Sequence, residues 1–331
     1  MKEVSFYKNL FEKYIVKKNL DLQDNKDLSS TNIQQAINYI LSQNSKRIRP
    51  VLMLMFCKLY SDVLEECMPA ALSIELLHNF TLVHDDIMDD SKLRRSQETI
   101  YAKWGNNTAI LTGDFLFNEA LSTLQDVNDD KKFKNILKII NKSLFELCIG
   151  QDQDLYFENS ENVSMSNYFQ MIYNKTASLI KASILIGSYI GGASVIEMDK
   201  IKDIGISLGY IFQLKDDYLD LYGEPSFGKK RYNDIINNKK TFFYVKAQEI
   251  ASKKDKDKLK LLYSCRSIDV VKKIDQVISI YNDLNIKSFL NKKLEIEYQI
   301  IQQKMLDLDI EKNSVKDIIL DYIKFLISRN V

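Results

Sequence analysis

The sequence predicts an all-α protein, and three observations carry that reading. Gly and Pro are scarce, ten and three in 331 residues, too few for the many tight turns that a β-rich chain of this size needs. Apolar residues recur at helical spacing, as in Leu10, Ile15 and Leu20, and again in Ile318, Ile319, Tyr322, Ile323 and Leu326. Helix punctuation falls at regular intervals: Ser29 to Thr31 before Ile33, Pro50 before Val51, Pro69, Gly105 to Asn107 before Thr108, and a break over Gly223 to Gly228. No low-complexity linker and no fixed-period repeat interrupts the pattern, so one domain over residues 1–331 is expected.

Composition narrows the function. With 45% hydrophobic residues and a net charge of +1, the chain is neither disordered nor a basic nucleic-acid module. Asp255 and Asp257 interrupt the Lys253–Lys260 run, which reads as a solvated helix face or turn and not a binding patch. Cys57, Cys67, Cys148 and Cys265 form no C-x-x-C pair, so reduced thiols and a cytoplasmic setting are expected. Charges through Met1–Leu20 break any signal-peptide core, and no apolar run reaches the roughly 20 residues that cross a bilayer.

One pattern occurs twice: Asp85-Asp86-Ile87-Met88-Asp89 and Asp216-Asp217-Tyr218-Leu219-Asp220 both read D-D-x-x-D. A single copy arises by chance roughly 0.2 times in a chain with this many aspartates, so the repeat is the informative feature. On a helix the first and last acids of each set share a face about 6 Å apart. Concentrated carboxylates need cations, and hard divalent ions such as magnesium prefer carboxylate and phosphate oxygens.

Basic residues accompany the acids. Lys46, Arg47 and Arg49 precede Pro50 at a helix start, Arg94 and Arg95 follow the first acid motif, and Lys175, Lys229 and Lys239 stand near helix breaks. Metal-bound acids on one side and Arg or Lys donors on the other suit a diphosphate.

In these motifs the sequence resembles the trans-type polyprenyl diphosphate synthases. The match covers roughly residues 40–245, through S-K-R-I-R-P, E-L-L-H-N-F-T-L-V-H-D-D-I-M-D, L-R-R, G-Q-D-Q-D, Y-N-K-T-A, F-Q-L-K-D-D-Y-L-D, F-G-K-K and N-N-K-K-T. The resemblance implies the isoprenoid synthase type I fold, a helical bundle whose two acid motifs face each other across a deep central cavity, usually as a homodimer. It implies that Asp85, Asp86, Asp89, Asp216, Asp217 and Asp220 ligate three magnesium ions on an allylic diphosphate. Arg94, Lys175, Lys229 and Lys239 would hold that diphosphate, and Lys46, Arg49, His78 and Arg95 would bind isopentenyl diphosphate. Thr176 and Gln213 match positions beside the reacting carbons. Three positions depart from the pattern, where Ser45, Ser96 and Arg231-Tyr232-Asn233 replace Gly or small residues.

The implied reaction lengthens an allylic chain by five carbons, with no Ser, Cys or His nucleophile. His84 reads as a histidine that is packed or that supports a neighbouring metal ligand, and not as a catalytic base. Phe80 and Thr81, five and four positions before the first motif, are expected to set chain length, Phe80 as the floor of an apolar tunnel. The expected product is geranylgeranyl diphosphate, with farnesyl diphosphate next. Two other readings exist: a class I terpene cyclase, whose second motif usually mixes Asn, Ser or Thr with Glu, and a non-catalytic regulatory subunit, which normally loses an acid motif.

Overall fold

A computed structural model describes residues 2–18, 31–43, 45–94, 97–224, 231–264, 269–310 and 312–329. The chain begins with helices α1 (Lys2–Lys18), α2 (Asn32–Ser42), α3 (Ile48–Lys58) and α4 (Met68–Met88). A two-residue ribbon follows, β1 (Leu93–Arg94) antiparallel to β2 (Gln97–Glu98), pairing Leu93 with Glu98 and Arg94 with Gln97. Next come α5 (Ile100–Trp104), α6 (Asn106–Ser122), α7 (Asp130–Glu158), α8 (Met165–Ile172), α9 (Ser178–Gly191) and α10 (Val195–Tyr222). The remainder is α11 (Asn233–Ile236), α12 (Phe242–Ile250), α13 (Lys253–Ser264), α14 (Val270–Asp283), α15 (Ile286–Leu306) and α16 (Asn313–Ser328). The fold is all-α, as its sequence predicts. The ribbon is the one departure among the described residues.

Local chemistry places the ends. The Thr31 hydroxyl caps α2 by accepting from the Gln34 amide, and Pro69 sits in the first turn of α4, where its missing N–H costs nothing. Ser164 and Asn167 close a capping box at the start of α8.

Two compact units divide the chain. The first comprises Met1–Asn141, Ala182–Lys202 and Asp307–Tyr322, the second Lys142–Lys181, Asp203–Leu306 and Ile323–Val331. In the first, α3 is buried continuously from Pro50 to Cys57. α6 packs against α4, and Gly113 lets the two approach closely, since a Cβ there would stand 2.1 Å from His84 Nε2. Each fully buried Leu or Ile here contributes roughly 1.5–3 kcal/mol. Cys57 and Cys67 are buried free thiols in this unit.

The core of the second unit is aromatic. Phe243 and Tyr281 meet as tilted rings with centroids 5.8 Å apart, Tyr244 and Tyr263 likewise at 4.4 Å, and the Tyr263 and Tyr281 hydroxyls satisfy each other at 2.9 Å. Leu259, Leu290 and Leu294 are also buried in this unit, as are Ile204, Leu208 and Ile211 of α10. The Lys253–Lys260 run lies on α13, with Lys253, Lys254 and Lys258 exposed, the solvated face its alternating charges predict. No helix of the described residues is long and apolar enough to cross a membrane.

Candidate active site

Both acid motifs close long helices. Asp85, Asp86 and Asp89 occupy the last turn and C-cap of α4, and Asp216, Asp217 and Asp220 the last two turns of α10. The helix macrodipole ends negative there, so every carboxylate placed there is disfavoured unless a cation offsets it. Folding alone gives no reason for such a placement, and each motif meets cations of its own unit.

In the first unit, Arg94 takes Asp86. Its Nε donates to both carboxylate oxygens at 2.9 and 3.1 Å, and Nη2 lies 2.8 Å from Oδ1. The β1–β2 ribbon holds Arg94 in place, and Thr99 ties the ribbon's base by donating to the Ser91 carbonyl. Asp86 is buried, whereas Asp85 and Asp89 are half-buried on the neighbouring face. His84 points elsewhere. Its Nε2 sits 3.3 Å from the Ile110 carbonyl oxygen, and its ring meets Phe80 edge-on at 4.9 Å, the packed histidine expected. Phe80 in turn meets Phe117 of α6 at 5.4 Å. The Thr81 hydroxyl donates to the His78 carbonyl at 2.8 Å, which turns its polar end back into the helix.

The basic run at the start of α3 divides by direction. Arg47 is a left-handed residue (φ 48°), a conformation that costs a non-glycine roughly 1–2 kcal/mol. Its guanidinium is buried against Glu75 at 2.7 Å, Glu12 at 2.9 Å and the Leu41 carbonyl at 3.0 Å. It is therefore a structural cation. Lys46 stays exposed and Arg49 half-buried on either side of it.

In the second unit, Y-N-K-T-A forms a π-helical turn over Tyr173–Ala177. Such turns re-aim side chains and recur at functional sites. Two glycines make room for it: a Cβ on Gly150 would stand 2.2 Å from the Lys175 backbone nitrogen, and one on Gly209 2.3 Å from the Ala177 Cα. The turn presents Lys175 and Thr176. Lys175 donates to Asp154 Oδ2 at 2.6 Å, and Lys239 reaches the same oxygen at 3.0 Å and Glu158 at 2.7 Å. Burial would raise the Asp154 carboxyl, but the two ammoniums overcome it and hold it below the usual carboxylate range. Thr176 donates to Gln213 Oε1 at 2.6 Å, and Gln213 Nε2 donates to Asp217 Oδ1 at 2.9 Å. The amide of Gln213 is thereby fixed, its oxygen toward Thr176.

Asp217 is fully enclosed. Its Oδ2 accepts from the Tyr168 hydroxyl at 2.7 Å and the Phe242 amide at 2.9 Å, and burial pushes its carboxyl up to about 6 against these donors. Asp220 accepts the Asn233 and Asp234 amides at 3.1 and 3.2 Å, so the bulky Arg231-Tyr232-Asn233 stretch folds onto it, with Tyr232 left-handed at φ 68°. Asp216 is the most open of the three, its side chain 51% exposed.

Among the described residues, no group of three or more His, Cys, Asp or Glu stands ready to hold a metal ion. The donor chemistry nonetheless fits a hard cation. Asp85, Asp89, Asp216 and Asp220 offer carboxylate oxygens alone, without soft or imidazole ligands. Asp86, Asp217 and Asp220 have both oxygens engaged by protein donors, whose bonds leave further lone pairs for a cation. Arg95 and Lys229 lie outside the described residues.

Sequence reasoning missed Asp154 and Tyr168, and it grouped Arg47 with the diphosphate-binding cations, whereas its guanidinium turns inward to Glu75 and Glu12. Asp154 was visible as the last acid of G-Q-D-Q-D, but nothing in the spacing assigns it two lysines.

The sequence profile of polyprenyl synthetases matches residues 30–281. The short chain isoprenyl diphosphate synthase of Methanothermobacter thermautotrophicus is 37% identical over 70% of this chain and 72% of its own length. The geranylgeranyl diphosphate synthase of Saccharolobus solfataricus is 34% identical, with 84% and 82% covered. A crystal structure of a geranylgeranyl pyrophosphate synthase superposes with a TM-score of 0.90 at 31% identity, covering 98% of each chain.

Proposed function

The chain belongs to the polyprenyl synthetase family of prenyltransferases, and from that premise we propose that it joins isopentenyl diphosphate to an allylic diphosphate as one polyprenyl synthase domain. The carrying observation is the pair of D-D-x-x-D motifs at helix C-termini, each beside a fixed basic network. Asp85, Asp86, Asp89, Asp216, Asp217 and Asp220 would hold magnesium, three ions in this proposal. The ions would supply electrostatic stabilisation of the leaving diphosphate.

The chain's own residues do the rest. As the allylic C–O bond breaks, both electrons leave with the diphosphate, and Lys175 and Lys239, aligned by Asp154, meet the negative charge that develops. The oxygens of Thr176 and Gln213 turn their dipoles toward the allylic cation without removing a proton. The double bond of isopentenyl diphosphate attacks that cation, and the proton lost in restoring an alkene passes to the departed diphosphate. Lys46, Arg49 and His78 bind isopentenyl diphosphate in this reading, with Arg95, while Arg94 and Lys229 join the allylic site.

Phe80, braced by Phe117, would floor the tunnel and stop growth at geranylgeranyl diphosphate, with farnesyl diphosphate next. Phe145, Ile149 and Tyr156 line one exposed face of α7, at 69%, 40% and 70% exposure, which supports a homodimer contact there. A cytoplasmic location completes the proposal.

Purified protein given isopentenyl diphosphate and, in turn, five-, ten- and fifteen-carbon allylic diphosphates with magnesium should yield a twenty-carbon diphosphate by mass spectrometry. Release of hydrocarbon from the allylic substrate alone would indicate a cyclase. Absence of any magnesium-dependent condensation would indicate a non-catalytic subunit.

A further inference from the structure

Just beyond α16, Arg329 reaches back to α10. Its Nη2 lies 3.4 Å from Asp216 Oδ1, and its guanidinium lies over the Phe212 ring at 5.2 Å, one helical turn before Asp216. Two features make this contact unusual. The arginine side chain is only 6% exposed, yet its Nε has no hydrogen-bond partner. The carboxylate it touches is half exposed and met by one long bond. The guanidinium thus rests on the Phe212 ring as well as on the ion pair, so it keeps its packing when the exposed Asp216 carboxylate turns toward solvent. Nearby, the ammoniums of Lys215 and Lys287 both stand over the Tyr218 ring, at 4.3 and 5.1 Å, so the surroundings are electropositive.

We propose that Arg329 is the resident counter-ion of Asp216: it neutralises the carboxylate while no divalent cation is bound and yields it when magnesium arrives. The idea rests on the reading of Asp216 as a metal ligand given above. A fixed positive charge beside a metal ligand opposes the incoming cation, so Arg329 lowers the magnesium affinity of the second acid motif. A pair this exposed on one side couples weakly, which sets the expected effect at roughly two- to fivefold.

The test is titration calorimetry with magnesium chloride and inorganic pyrophosphate, a readout that needs no turnover. Half-saturation for Arg329→Gln should fall roughly two- to fivefold below wild type, while Arg329→Lys, which keeps the charge, should stay near wild type. A merely structural arginine would move both variants alike. Should Arg329→Gln fail to fold, Arg329→Met keeps the apolar contact with Phe212 and carries the same expectation. Unchanged or weaker magnesium uptake in the neutral variants, with wild type binding normally, overturns the inference alone. A wild type that takes up no magnesium removes Asp216 as a ligand, and the inference with it.

Discussion

The ammonium of Lys175 lies 2.6 Å from a carboxylate oxygen of Asp154, and that single oxygen also receives Lys239. Replacing Asp154 by Asn leaves the half-buried Lys175 ammonium and the buried Lys239 ammonium, the latter still paired with Glu158, on either side of a neutral amide. Removing one partner of a buried ion pair costs about 3–5 kcal/mol. Asp154→Asn should therefore lower the midpoint of urea unfolding and raise KM for the allylic diphosphate at least tenfold. Wild-type KM in this variant would show that the two lysines need no alignment.

Gln213 links Thr176 to the enclosed Asp217. Gln213→Leu strips Asp217 Oδ1 of its donor and Thr176 of its acceptor, and each buried unsatisfied group costs about 1–3 kcal/mol. Since the linked dipoles face the cation only as it forms, kcat should fall about tenfold or more while KM for both substrates moves little. Steady-state kinetics with each substrate varied in turn reads the difference, and a change confined to KM would contradict the assignment.

Phe80 braces α4 against α6 through Phe117. Phe80→Ala should open the tunnel and shift products beyond twenty carbons in chromatography, with a loss of stability smaller than that of a fully buried Phe→Ala change because Phe80 is half-buried. An unchanged product length would remove Phe80 as the floor.

Lys240 is buried between the rings of Tyr244 and Tyr263. Burial, helped by Lys273 and opposed by Glu158, pushes its ammonium down to about 8. Unfolded, the same group keeps a proton up to its ordinary value near 10.5. Between about pH 8 and 10.5 the unfolded chain thus binds more protons, and stability contributed by this site rises with pH. Below pH 8 the full penalty applies, on the order of 3 kcal/mol. In urea unfolding, the gain in stability from pH 8 to 9.5 should be smaller for Lys240→Met than for wild type; identical slopes would contradict this.

The helices were legible because Thr31, Pro69 and the apolar spacing act locally, within one turn of where they stand. The acid motifs were legible because two matching copies exceed chance. What the chain did not reveal arises from contacts distant in sequence. The π-helical turn at Lys175 depends on the bare backbones of Gly150 and Gly209, and no propensity within Y-N-K-T-A announces it. Arg47 reads as one of three cations in a cluster, yet its partner Glu75 turns it inward. Asp217 reads as an equal of Asp216, but Tyr168 and the Phe242 amide enclose it. The ribbon that aims Arg94 is two residues per strand, too short for any periodicity.

The proposed reaction requires both acid motifs at once. That requirement is tested most directly by condensation rates at saturating magnesium for Asp85→Asn, Asp216→Asn and the double variant. Groups acting as a unit are not additive, so each single change should lower kcat/KM by about a thousandfold and the double variant by little more. Losses that multiply, or a single variant within twofold of wild type, would contradict it.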